Sequence, residues 1–229
     1  MIMLFRWIKR MINELEYGAI NYNVEDKDSY YEFVDCEEAE KWGEEIYGDF
    51  SKRYKQVMNQ SKNHLKGSLT SIPIECYCGY TYRQINSYLR GEHQDSDGTY
   101  RELSNLISIV ICAAPRIPRD IIVYRMVCKK VFYDILKTNK EKSYPYLEAG
   151  FLSTSLLKDI AYDEEHNDGF LLKIYVNKGA KAIYVNKIAN RSEEEVLFCG
   201  GVYLAMIDYP HVDMTTKKMM LECKLISFD

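Results

Sequence analysis

No run of about 18 or more apolar residues occurs in the sequence, so no segment reads as a transmembrane helix. Basic residues are not in excess. The formal net charge is −4, which removes the broad positive footprint that tight, non-specific binding to nucleic acid requires. Proline and glycine are scarce: 5 and 12 residues leave no room for a long disordered linker. No Gly-x-Gly-x-x-Gly turn joins a strand to a helix, which excludes the Rossmann mode of dinucleotide binding. No Gly-x-Ser-x-Gly elbow supports a serine nucleophile. The 7 cysteines are scattered, and Cys76 and Cys78 have no second cysteine or histidine pair at zinc-site spacing. No metal is expected, and the odd count reads as free thiols in a reducing compartment.

What is present suits a folded domain. The 229 residues can bury a core without disulfide or metal staples, as one large domain or one domain with a modest extension. The 20 tyrosines favour half-buried sheet surfaces. Near the N-terminus, Leu4, Phe5, Ile8, Met11, Ile12 and Leu15 recur at helical spacing, interrupted by Arg6, Lys9, Arg10 and Glu14. The interruptions and the lack of a small-residue cleavage site argue against a secretory signal. A helix packed on the domain and a basic amphipathic helix making peripheral membrane contact through residues 1–15 both fit this pattern.

The first half reads helical. Ala39, Trp42, Ile46, Tyr47 and Phe50 mark a helix over Cys36 to Gln60, with Asp35 placed to cap it. Tyr82 to Leu89 forms a second helix stopped at Arg90-Gly91, and Tyr100 to Cys112 a third, buried one. Pro115 and Pro118 then break the chain. Beyond them come short runs rich in β-branched and aromatic residues: Ile121–Val127, Phe151–Leu156, Phe170–Val176, Ala182–Val185, Glu195–Phe198, Val202–Ile207 and Met219–Ile226. Helices followed by many strands predict an α+β fold with a mainly antiparallel sheet system, and no alternation of strand and helix in the second half.

Three segments carry chemistry. Arg125 lies inside the apolar strand Val123-Tyr124-Arg125, where burial demands a paired anion. A diphosphate would serve through the planar guanidinium fork, and so would a structural carboxylate. Gly150-Phe151-Leu152-Ser153-Thr154-Ser155 places Ser153 and Ser155 on one strand face and Thr154 on the other. Glu193-Glu194-Glu195-Val196-Leu197-Phe198 runs three carboxylates into a strand. Glu193 and Glu195 would share a face and repel, which raises one pKa. A solvated charge run at a strand start fits the same residues.

Together these segments resemble the Arg-Ser-Glu class of mono-ADP-ribosyltransferases, and in particular bacterial exoenzymes such as actin-modifying binary toxins and Rho-modifying clostridial exoenzymes. The resemblance rests on Tyr-Arg, Phe-x-Ser-Thr-Ser and Glu-x-Glu-Val-Leu in order. It is strengthened upstream by Tyr77-Cys78-Gly79, by Ile85-Asn86-Ser87-Tyr88-Leu89-Arg90 and by a helix bearing Trp42-Gly43. It covers about Glu38 to Ser227 and implies N-terminal helices packed on two twisted, mainly antiparallel sheets, with NAD in the cleft between them. Residues 1–34 would be a helical extension and 35–229 the catalytic domain.

The resemblance implies roles for individual residues. Arg125 would hold the NAD diphosphate; Tyr77, Asn86 and Arg90 would contact NAD, and Phe151 would flank the nicotinamide. Ser153 would orient Glu195, the catalytic glutamate. Glu193 would direct transfer to arginine, since in this family glutamine at that position accompanies asparagine acceptors. The Asn186 to Ser192 loop would face the acceptor. The implied protein is a secreted or injected effector with NAD as substrate, no metal and an acceptor protein as partner, working in a target-cell cytosol. NAD hydrolysis with water as main acceptor, or an inactive NAD-binding module, are the alternatives.

Overall fold

Residues 2–62, 72–159 and 169–227 are described in a computed structural model. Met1, where the N-terminal helical pattern begins, lies outside them. Helix α1 (Ile2–Tyr17) is followed by an extended stretch and then by α2 (Cys36–Lys62). Asp35 caps α2 by accepting from the Glu38 amide at 2.9 Å, while the Glu38 carboxylate accepts from the Val34 amide at 3.0 Å. Ala39, Trp42 and Tyr47 are buried, and Ile46 and Phe50 pack half-buried beside them, as the helical spacing predicts. A short helix α3 (Pro73–Cys76) enters a π-helical turn at Tyr77–Thr81, which leads into α4 (Tyr82–Leu89). Gly91, in the left-handed region at φ 74°, ends α4. Helix α5 (Thr99–Ala113) buries Leu103, Ile107 and Ile111.

The strands that follow are β1 (Ile121–Val127), β2 (Tyr146–Glu148), β3 (Leu152–Ser155) and β4 (Phe170–Val176). After them come β5 (Ala182–Tyr184), β6 (Glu195–Phe198), β7 (Val202–Met206), β8 (His211–Val212) and β9 (Met219–Ile226). Their hydrogen-bonded order is β2-β7-β9-β4-β1-β3-β6-β5, with β8 on β9. Among the described strands, only β4 and β9 pair in parallel. Where the resemblance implied two sheets, the strands form one continuous, mostly antiparallel sheet. Strand β1 pairs with β4 over its whole length but with β3 only at Tyr124 and Ser155, so the sheet nearly parts at that seam.

Strand β1 is apolar on both faces because both are covered. Val123 and Val127 face the main core with Leu172 and Ile174 of β4, whereas Ile122 and Tyr124 join Leu171 and Tyr175 in a second cluster. Tyr22, Val24 and Tyr30, from the stretch between α1 and α2, cover that second cluster. The segment before α2 is thus tied to the sheet: Tyr31 bridges Ile121, and the Asn139 side chain donates to the Tyr17 and Ala19 carbonyls at 2.9 and 3.1 Å. Helix α1 itself leaves Phe5, Ile12 and Leu15 exposed. No helix among the described residues is long and apolar enough to cross a membrane.

One helix departs from the expectation of an all-strand second half. Helix α6 (Lys129–Lys142) buries Phe132, Ile135, Leu136 and Asn139 at helical spacing, and its seven charged residues on the other faces dilute that signal in the sequence. A further short helix, α7 (Asn186–Ala189), follows β5.

Candidate functional site

The seam between β1 and β3 opens into a cleft of about 300 Å³, roofed by Tyr77, Tyr82 and Asn86 and floored by β1, β3 and the start of β6. Arg125, Ser153, Glu193 and Glu195, chosen from distant segments, all line it. Arg125 shares the parity of Val123 and Val127, so alternation turns it toward the core side of β1, where the gap beside β3 gives the guanidinium room. It donates through Nη1 to the Ser153 carbonyl at 2.8 Å.

Three hydroxyls of β3 each have a distinct partner. The Ser153 hydroxyl donates to Glu195 Oε1 at 2.6 Å, that of Thr154 to the Val196 carbonyl at 2.8 Å, and that of Ser155 to the Glu193 carbonyl at 2.9 Å. Register pairs Ser155 with Glu195 and Ser153 with Leu197, which puts the Ser153 side chain diagonally across from the carboxylate.

Glu195 is 4% exposed, and its Oε2 is buried without a hydrogen-bond partner. Burial pushes its carboxyl above the ordinary range, partly offset by Ser153 and Arg191, with the Glu193 charge adding to the rise. Its amide donates to Asn186 Oδ1 at 3.0 Å, fixing where β6 begins. Glu193, by contrast, stands at the cleft rim with its side chain half exposed.

Between them the chain turns. Glu194 adopts φ 47°, in the left-handed region, so the carboxylates do not follow simple strand alternation. Glu194 is not solvated: its carboxylate is buried, accepts from the Tyr184 hydroxyl and takes a second bond from Asn186 Nδ2 at 3.0 Å. Desolvation raises its pKa against the lowering effect of Tyr184. The middle glutamate therefore anchors the loop, while its neighbours line the cleft.

The remaining expected residues divide. Tyr77 lines the cleft and hydrogen-bonds the Phe151 carbonyl at 3.4 Å. Asn86 lines it too, but its amide is committed: Oδ1 accepts from the Phe151 amide at 2.9 Å and Nδ2 donates to the Tyr77 hydroxyl at 3.0 Å. Phe151 is buried, its ring edge-on to Tyr77 at 5.3 Å. Arg90 is not part of the lining and pairs with buried Glu148 at 2.9 Å. The Asn186 to Ser192 segment begins with Asn186 and Ile188 buried, and reaches the cleft at Arg191.

Sequence reasoning missed Arg191, which donates to the Glu193 carboxylate and the Cys78 carbonyl. Its position two residues before Glu193 was the available signal.

Comparison with known proteins agrees with this geometry. Residues 39–226 match the family model described as ADP-ribosyltransferase exoenzyme. No curated protein matches the sequence. Among solved structures, the ADP-ribosylating toxin BECa of a C. perfringens binary enterotoxin, crystallised with NADH, superposes with a TM-score of 0.66 at 22% identity. That match covers 86% of this chain and 50% of BECa, so the chain spans half the length of that relative. C3stau2 from S. aureus, solved with NAD, gives 0.65 at 20% identity over 87% of this chain and 100% of its own. The Clostridium limosum C3 exoenzyme gives 0.62 at 21% identity, covering 87% and 98%. These likenesses establish the fold. Because the family model spans most of the sequence, the chain belongs to the ADP-ribosyltransferase exoenzyme family.

Proposed function

We propose that the chain transfers ADP-ribose from NAD to an arginine of an acceptor protein, releasing nicotinamide. One observation carries the reading: Ser153 holds one oxygen of a buried carboxylate whose other oxygen has no hydrogen-bond partner, inside a cleft that also contains Arg125. A buried orphan oxygen is unfavourable unless a ligand supplies a donor, and a ribose hydroxyl is such a donor. Breaking the nicotinamide–ribose bond leaves positive charge on the sugar, as in glycoside cleavage. Glu195 favours that cation over the ground state, an electrostatic contribution of about 3 kcal/mol or more.

Arg125 supplies the charge for the diphosphate, with Tyr77 and Asn86 forming the opposing wall. Asn86 acts there by holding Phe151 and Tyr77, and Arg90 by fixing Glu148, whose carboxylate accepts from the Gly150 amide just before β3. Glu193, at the rim, orients the incoming guanidinium and takes its proton as the new bond forms, because guanidinium is fully protonated at neutral pH. An effector role in the cytosol of a target cell fits the exoenzyme family.

Incubation with labelled NAD and cell lysate, with nicotinamide release measured beside label transfer, tests the assignment. Glu193→Gln should lose transfer to arginine yet keep some NAD hydrolysis, and Glu195→Gln should lose both. Normal transfer by the Glu195 variant refutes the reading.

A further inference from the structure

Helix α1 lies on the domain with its polar side inward. Phe5, Ile8, Ile12 and Leu15 recur at helical spacing and form one stripe, with Met11 beside it. Phe5 is 67% and Leu15 75% exposed, and Ile8, Met11 and Ile12 are exposed as well. Among the described residues of α1, only Asn13 and Tyr17 are partly buried, and they project from the opposite side. The end of the helix is clamped on that side. Tyr17 packs against the Tyr209 ring at 6.3 Å, Asn139 of α6 donates to the Tyr17 carbonyl at 2.9 Å, and Tyr209 donates to the Gly18 carbonyl at 3.3 Å. Gly18 approaches α6 so closely that a Cβ there would lie 2.7 Å from Cα of Lys140. The clamp therefore holds the apolar stripe outward.

A surface helix ordinarily turns its apolar stripe to the core, and a contiguous stripe left exposed marks an interaction surface. Charge identifies the partner. Helix α1 carries three basic and two acidic residues, and α6, on which it packs, five and two. These two helices hold a surplus of four positive charges in a chain whose net charge is −4. Lys9 of α1 and Lys137, Lys140 and Lys142 of α6 are exposed. Packed helices lie about 8–10 Å apart and the Debye length is about 8 Å at physiological salt, so long lysine side chains on α6 still act on a surface that α1 touches. A second copy of this chain would bring the same positive charges together, which opposes self-association through the stripe. Trp7, 59% exposed beside Met11, has the amphipathic ring that suits the headgroup level of a bilayer.

We propose that α1 seats the chain on an anionic phospholipid surface, with the helix lying parallel to it. The stripe enters the boundary between headgroups and acyl chains, about 5–10 Å deep, while Lys9 and the α6 lysines attract lipid phosphates. Helix α1 has 16 residues with charges along its polar side, short of the roughly 20 apolar residues of a spanning helix, so it lies on the bilayer. The inference stands apart from the transferase reading, because none of the described residues lining the cleft belongs to α1 or α6.

The test is co-flotation of the purified full chain with vesicles of phosphatidylcholine alone and of phosphatidylcholine mixed with phosphatidylserine. Trp7 supplies a second readout, because the other tryptophan, Trp42, is buried. The chain should float with the phosphatidylserine vesicles, and its emission should shift to the blue, a shift that Trp7→Phe removes. Raising salt to about 0.5 M should weaken binding at least tenfold or so. Ile12→Glu combined with Leu15→Glu should abolish flotation with near-ultraviolet circular dichroism unchanged. Lys137→Glu combined with Lys140→Glu should weaken it while leaving the stripe intact. No binding to the phosphatidylserine vesicles overturns the proposal, as does equal binding to phosphatidylcholine alone. Flotation retained by the stripe variant, or undiminished in the lysine variant, overturns it too. Sedimentation without vesicles examines the other occupant: a dimer in which Trp7 is hidden assigns the stripe to a second copy and overturns the lipid assignment.

Discussion

The Ser153 hydroxyl donates to Oε1 of Glu195 at 2.6 Å and leaves Oε2 of the same carboxylate without a hydrogen-bond partner. One oxygen is used to aim the group, and the other remains for a ligand. If Ser153 is a positioning residue, Ser153→Ala should lower kcat by roughly tenfold to a hundredfold, about 1.4–2.7 kcal/mol of barrier, with a smaller change in KM for NAD. Ser153→Thr, which keeps a hydroxyl, should recover part of the loss. Steady-state nicotinamide release measures both, and an unchanged kcat in the alanine variant would count against the aiming role.

Burial raises the Glu195 carboxyl above the ordinary carboxylate value. The folded state then holds that proton more tightly than the unfolded state does. This group's stabilising contribution is greatest below the ordinary carboxylate range and declines as pH rises from 4.5 through its raised folded value. Glutamine does not titrate. Glu195→Gln should therefore be more stable than the parent near neutrality, by roughly 0.5–2 kcal/mol, with the gap closing on acidification. Urea unfolding at about pH 8 and about pH 4 checks this, and a gap that widens toward acid contradicts it.

Asn86 satisfies the Phe151 amide and the Tyr77 hydroxyl at once in a buried setting. Asn86→Ala strands the Phe151 amide and leaves the Tyr77 hydroxyl only its long bond to the Phe151 carbonyl, and should destabilise the fold by roughly 2–3 kcal/mol, read from the denaturation midpoint.

Two glycines of α2 make opposite cases. A Cβ at Gly43 would lie 2.2 Å from the Tyr184 ring, whose hydroxyl is held by Glu194. The rigid ring cannot yield, so Gly43→Ala should destabilise by about 1–3 kcal/mol despite the roughly 1 kcal/mol gain in helix propensity. At Gly48 the nearest atoms are the carboxylate end of the Glu44 side chain, which can swing into solvent. Gly48→Ala should stabilise by about 0.5–1 kcal/mol. Calorimetry of the pair distinguishes them by sign.

Local periodicity and punctuation were enough to place β1, β4, β6, β9 and α4 at their observed bounds. Arg125, Ser153 and Glu195 were recognisable because their segments carry motif-level chemistry, and adjacency of β1, β3 and β6 then brings them together. Features set by tertiary packing were not legible. Helix α6 was missed because its four buried positions are outnumbered by polar ones. Three consecutive glutamates look equally solvated in sequence, yet Glu194 is buried by Tyr184 and Asn186, partners defined only by the fold. Arg191 was missed because proximity to Glu193 in sequence does not by itself give contact, and its reach depends on left-handed backbone at Asn190 and Glu194.

The lone register pair of Tyr124 with Ser155 makes the junction between β1 and β3 the mechanically weakest line through the sheet. Arg125 belongs to one bank of that line, Ser153 and Glu195 to the other. A dinucleotide lying across it works as a splint, so occupancy should register as slowed amide exchange in both banks rather than in the cleft walls alone.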